Sequence, residues 1–237
     1  MQTQPELTQT PNRSRINTHT LVSMAMLCAI SLVLTYVCRF VPKVQGILSF
    51  DLKDAVVVIG GFLFGPLPAL AITVISALIE MVTFSTTGPT GLIMNIISTG
   101  AFACTAAAIY KRKRTMAGAV SGLVTGVVAM TVAMLLWNFL ITPIYMEVPR
   151  AVVTAMLPTV FLPFNLVKGG INAALVMLLY KPVVTALRKA RLAPESPSNS
   201  ADAQRRFGVG HVIAALFVLV TLVLLALVMM GVLKIGG

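Results

Sequence analysis

The sequence predicts an all-α integral membrane protein, and three observations carry that prediction. Apolar residues make up 57% of the 237 and charged residues 11%, with a mean hydropathy of +0.93, whereas soluble domains carry about a quarter charged residues. The apolar residues gather into runs suited to helices that cross hydrocarbon, which takes roughly 20 residues each. The basic residues cluster beside those runs, the pattern that sets membrane topology.

Taken in order, residues 1–20 form a polar tail with Arg13 and Arg15 just ahead of the first apolar run. No small-residue cleavage site follows that run, so Leu21 to Phe40 is expected to be retained as a helix rather than removed as a secretory signal. The second run, Asp54 to Phe64, rises only about 16 Å before Gly65-Pro66 breaks it. It therefore starts earlier or is buried by its neighbours. Leu67 to Phe84, Gly91 to Tyr110 and Met116 to Ile141 supply the next three spans, and Asn165 to Val184 the sixth. Ala193 to Ala203 is rich in Pro, Ser, Asn and Asp, which marks residues 192–208 as a flexible linker. It separates a six-helix body, residues 21–191, from an additional C-terminal transmembrane helix in residues 209–237, whose apolar run is Val209 to Val232.

Orientation follows from charge. Arg13 and Arg15, the run Lys111 to Arg114, and the group Lys181, Arg188, Lys189, Arg191, Arg205 and Arg206 hold 12 of the 18 basic residues. Counting helices places all three segments on one side, which the positive-inside rule makes the cytoplasm. The N-terminus is then cytoplasmic in a multi-pass protein of the cell membrane. The opposite side receives Val41 to Lys53, Ser85 to Thr90, and a long Thr142 to Phe164 connection whose four prolines suggest a loop able to act as a lid.

Four polar side chains on three helices are expected at similar depth near the outer face. Asn95 lies a turn into the fourth helix, Asn138 a turn from the outer end of the fifth, and Asn165 with Lys168 opens the sixth. A mostly apolar enclosure with a few placed polar groups is what a small-molecule site needs. An amide both donates and accepts while an ammonium only donates, so the set can answer the carbonyl and N–H groups of a planar heterocycle. The plain alternative is that the asparagines bond between helices and Lys168 snorkels to the interface. On the ligand reading, Lys168→Met weakens binding without unfolding the helix.

Glu80, the one acid well inside an apolar run, is either a proton-coupling carboxylate or a solvated or paired one. Asp51 and Asp54 precede the second helix, where its dipole favours negative charge, so they read as caps or ligand contacts. Trp137, Phe139, Tyr145, Phe161 and Phe164 gather where an aromatic belt sits. On the first helix, Ala25 and Ala29 form a small-xxx-small face that lets another helix approach closely.

Several classes are disfavoured. The net charge of +11 is topological and not a groove-lining stripe, so no nucleic acid partner is expected. Cys28, Cys38 and Cys104 have no metal-ligand spacing, and neither a metal site nor a catalytic set is expected. The absence of a GxxxxGK[ST] loop means that ATP-driven transport would need another chain to hydrolyse it.

The stretches Lys53-Asp54-Ala55, Gly60-Gly61-Phe62-Leu63-Phe64-Gly65-Pro66, Thr86-Thr87-Gly88, Asn95, Trp137-Asn138-Phe139 and Phe164-Asn165-Leu166-Val167-Lys168-Gly169 together resemble the riboflavin-binding S components of energy-coupling factor (ECF) transporters, the RibU family. The resemblance covers roughly Leu21 to Arg191. It implies a six-helix S-component bundle, here with an extra C-terminal helix. The implied role is a non-catalytic subunit of an ECF-type ABC vitamin transporter, with riboflavin as its transported ligand and no cofactor. It implies that Asn138, Asn165 and Lys168 answer the uracil-like edge of the isoalloxazine ring, with Asn95 nearby. It also implies that Ala25 and Ala29 form the face for a membrane coupling (T) subunit, itself driven by two ATPase subunits. Alternatives are another vitamin, a flavin analogue such as FMN or roseoflavin, or an autonomous ion-coupled carrier using Glu80.

Overall fold

The computed structural model describes residues 18–44, 46–190, 192 and 209–232. Most of the polar tail and nearly all of the 192–208 linker lie outside them. Seven helices make up the described residues: α1 (Thr18–Cys38), α2 (Lys53–Phe64), α3 (Pro66–Thr83), α4 (Gly88–Lys113), α5 (Met116–Tyr145), α6 (Arg150–Lys189) and α7 (Val209–Met229). Among the described residues the only β pairing is an isolated bridge between Val44 and Leu48. Six helices are long and apolar enough to cross a membrane, α2 being the exception.

α2 is short because it is the centre of the bundle rather than a span. Its residues Lys53 to Phe62 are all buried, and it packs against α1, α3, α4 and α6. The paired glycines make this possible. A Cβ on Gly60 would stand 2.9 Å from Ile72 of α3 and 3.1 Å from Leu27 of α1, and one on Gly61 would stand 2.9 Å from Ala107 of α4. Gly61 is what lets α3 and α4 close on α2, since the Cβ atoms of Ala69 and Ala107 cannot move aside as the ends of Ile72 and Leu27 beside Gly60 can. Gly65 then turns the chain at φ 104°, a left-handed value that suits glycine, and Pro66 opens α3 at a position where its missing N–H costs nothing.

α4 and α5 pack tightly by the same device. Gly122 faces the Ala106 carbonyl, and a Cβ on Gly126 would stand 2.8 Å from the Phe102 carbonyl oxygen. Without a hydrophobic drive between helices in lipid, such close backbone approach is a main source of association. Between them Arg114 takes a left-handed turn at φ 37°, and the Thr115 hydroxyl caps α5 by accepting from the Gly118 N–H at 3.1 Å. The basic run Lys111 to Lys113 closes α4, where a helix C-terminus favours positive charge.

The structure corrects the expected outer loop of Thr142 to Phe164. α5 continues through Pro143 to Tyr145, only Met146–Pro149 is non-helical, and α6 begins at Arg150. Proline is tolerated here because the helix widens into a π turn over Leu157–Phe161, containing Pro158 and leading into Pro163. A helix absorbs missing N–H groups at such a bulge rather than breaking. α1 likewise begins at Thr18, three residues earlier than its apolar run, and the Ser23 hydroxyl bonds the His19 carbonyl one turn back.

Candidate ligand-binding site

With α6 starting at Arg150, Lys168 lies near the middle of a 40-residue helix, about 27 Å along it from the first residue and about 32 Å from the last. A snorkelling lysine belongs at a helix end, so the structure replaces that reading. Lys168 is buried, and its ammonium sits 2.8 Å from Asp51 Oδ2 and 3.8 Å from Asp54 Oδ2. Asp54, fully buried in the first turn of α2, accepts a hydrogen bond from the Thr99 hydroxyl of α4 at 2.6 Å.

A second pair lies beside the first. Lys53 Nζ is 2.6 Å from Glu80 Oε2 on α3, and Glu80 Oε1 accepts from Asn95 Nδ2 on α4 at 3.2 Å. Glu80 is thus a paired acid, as one of the two sequence readings had it. Lysines 53 and 168 thus stand among three acidic side chains, one more acid than base, in a largely buried region. Burial pushes the Asp51 carboxyl up, but Lys168 and then Lys53 pull it down further. It sits below the usual carboxylate range.

Asn172, one turn beyond Lys168 on the same face of α6, ties this network to the backbone. Its Oδ1 accepts from the Ala55 N–H at 2.9 Å, while its Nδ2 donates to the carbonyls of Asp51 at 2.9 Å and Lys168 at 3.0 Å. The expectation that Asp51 and Asp54 act as caps is therefore corrected. A helix start leaves N–H groups without partners, and for α2 one of them is met from another helix by Asn172, whereas neither aspartate makes a side-chain cap.

The predicted residues do not all enter one network. Lys168 belongs to the group with Asp51, Asp54 and Thr99, and Asn95 to the neighbouring group with Glu80 and Lys53. Asn138 and Asn165 are buried but turn to their own helices: Asn138 Nδ2 donates to the Met134 carbonyl at 2.7 Å, its Oδ1 accepts from Thr142 at 2.8 Å, and Asn165 Nδ2 donates to the Phe161 carbonyl at 2.8 Å. The aromatic group divides as well. Phe139 and Tyr145 are exposed as a belt residue is, whereas Phe161 and Phe164 are buried, with Phe164 against Phe50 of the loop before α2 at 4.8 Å between ring centroids. Ala25 and Ala29 lie on the exposed side of α1.

The sequence reading passes over Asn172, Thr99 and Lys53. For Asn172 a signal existed, since i and i+4 share a helix face and Asn172 follows Lys168 by four. For Thr99 and Lys53 there was none, because their partners lie 45 and 27 residues away.

Comparison with known proteins agrees with this architecture. The family model "ECF transporter, substrate-specific component" matches residues 19–180. The riboflavin transporter RibU of Staphylococcus aureus (strain TCH60) is 29% identical over 175 residues, covering 71% of this chain and 92% of the relative. The riboflavin transporter FmnP of Bacillus subtilis (strain 168) is 28% identical over 184 residues, covering 73% and 97%. Among solved structures, the S component of a bacterial ECF transporter aligns with a TM-score of 0.59 at 30% identity, covering 71% of this chain and 96% of that one.

Proposed function

Because the chain belongs to the substrate-specific components of ECF transporters, we propose that it is the riboflavin-binding subunit of an ECF-type uptake transporter. It captures the vitamin at the outer face of the cell membrane and releases it inside. The observation that carries the ligand is that both named relatives are riboflavin transporters and align over nearly their whole length. The multi-pass bundle holds the ligand and performs no chemistry on it, and two ATPase subunits supply the energy through a membrane coupling subunit. The N-terminus is cytoplasmic on this reading.

The geometry supports a division of labour. An ammonium has three N–H donors; Asp51 takes one of Lys168's, and Asp54 stands at ion-pair rather than hydrogen-bond distance. Lys168 keeps donor capacity for a ring carbonyl, and Asp51, Asp54 and Asn172 hold its position. The amides of Asn138 and Asn165 give up their helix-internal bonds for the ligand's donors and acceptors, an exchange that conserves hydrogen bonds. Asn95, held by Glu80, belongs to the neighbouring Lys53–Glu80 group. The exposed Ala25 and Ala29 face of α1 is where the coupling subunit docks, since small residues permit close helix approach.

The test is titration of riboflavin into detergent-purified, ligand-free protein while flavin fluorescence is followed. Saturable quenching, or flavin absorption bands that co-purify, is the expected result. Folded protein that leaves flavin fluorescence unchanged would overturn the ligand assignment.

A further inference from the structure

Helix α7 lies beyond the residues that the family model matches, yet it is seated on the body next to the polar network. Its inward row is Ala215, Leu219, Leu222, Ala226 and Met229, alternating steps of four and three that form one helix face. Leu222 Cδ1 stands 2.6 Å from where a Cβ on Gly170 would be, so glycine at this position, two residues past Lys168, leaves room for the end of Leu222. Ala226 is buried in an apolar cluster that contains Phe164, Val167 and Ile171 of α6 together with Val44 and Phe50 of the loop before α2.

That loop presents Asp51 to Lys168. Its own backbone pairing is slight among the described residues: the Val44 N–H donates to the Leu48 carbonyl at 2.8 Å, and the Ile47 and Leu48 N–H groups donate to the Val44 carbonyl, each at 3.1 Å. Besides the Asn172 bond to the Asp51 carbonyl and the Lys168–Asp51 pair, side-chain packing against α6 holds it, and α7 joins the same cluster through Ala226.

We propose that α7 is a clamp on the ligand site, with Leu222 and Ala226 as positioning residues. By fixing α6 at Gly170 and Ile171 they hold loop residues 46–52, and with them Asp51, in register with Lys168. The clamp slows ligand exchange without touching the ligand. Reading the exchanging ligand as riboflavin rests on the function proposed above; the clamp itself does not.

The test uses the full chain in lipid nanodiscs, with Leu222→Ala and Ala226→Trp as disrupting variants, Ala226→Ser as the conservative one, and Ala214→Trp on the exposed side as control. Amide hydrogen exchange of peptides covering residues 46–52, measured without ligand, is expected to accelerate at least about tenfold in both disrupting variants and to match wild type in the other two. Riboflavin dissociation is expected to quicken at least about fivefold in the same two variants. Should Ala226→Trp fail to fold, Leu222→Ala carries the comparison. Wild-type exchange and wild-type dissociation in Leu222→Ala would overturn the clamp. Faster exchange in a protein that binds no riboflavin would support the clamp and overturn the ligand reading alone.

Discussion

Replacing Lys168 by methionine tests the polar network most directly, because the structure changes what that exchange should do. Among the described residues, Lys168 is the one cation within 4 Å of Asp51 and Asp54, while Lys53 is engaged by Glu80 at 2.6 Å. Methionine therefore leaves both acidic groups without an ion-pair partner within 4 Å, one 13% exposed and the other 0%. Breaking a buried pair by removing one partner costs about 3–5 kcal/mol. At about 2–4 °C per kcal/mol for a chain of this size, the midpoint should fall by about 6–20 °C. Asp51→Asn combined with Lys168→Met removes one of the orphaned charges and should recover a substantial part of that loss. The assay is thermal unfolding of the ligand-free protein in detergent, followed by the fluorescence of Trp137, the sole tryptophan. A Lys168→Met variant that melts within about 2 °C of wild type, or a double variant that melts no higher than the single, would refute the reasoning. It would return Lys168 to the role expected from sequence alone, in which the exchange affects affinity only.

Three further outcomes are expected. Asn172→Ala removes the acceptor for the Ala55 N–H and two donated bonds; it should destabilise the ligand-free protein by about 1–3 kcal/mol, and an unchanged melting curve would show that α2 does not need this cap. Gly126→Ala places a methyl 2.8 Å from the Phe102 carbonyl, whereas Gly100→Ala meets nothing closer than Leu70 at 3.6 Å, so the first should cost about 1–3 kcal/mol by overpacking and the second should be tolerated. Paired Ala25→Trp and Ala29→Trp, both on the exposed side of α1, should abolish co-purification with the coupling subunit while leaving riboflavin affinity unchanged; intact assembly would move the docking face off α1.

The positions of the spanning helices were legible from residues alone because hydrocarbon imposes a length and an apolarity that composition reveals directly. Lys168 was legible as unusual for the same reason. Its surroundings were not. Lys168 meets Asp51 across 117 positions of chain, and Asn172 meets Ala55 across another 117; no local pattern encodes a distance of that kind. The prolines of residues 142–164 misled, since a proline reports a missing donor and does not say whether a helix will carry it, as α5 carries Pro143 and the π turn carries Pro158.

Sequence by itself determined that the chain crosses the membrane as helices, where Gly65-Pro66 divides α2 from α3, and that Asn95, Asn138, Asn165 and Lys168 are polar groups set within apolar segments. Each of these follows from the local cost of placing polar atoms or broken backbone in lipid. Only the tertiary structure decided which partner each polar group takes, that the twelve-residue α2 is the core of the bundle, and that α7 closes on Gly170 beside Lys168. Those outcomes depend on which helices lie within ångströms of one another, and that depends on the glycines of α2, α5 and α6, whose effect appears only when a second helix is there to fill the space.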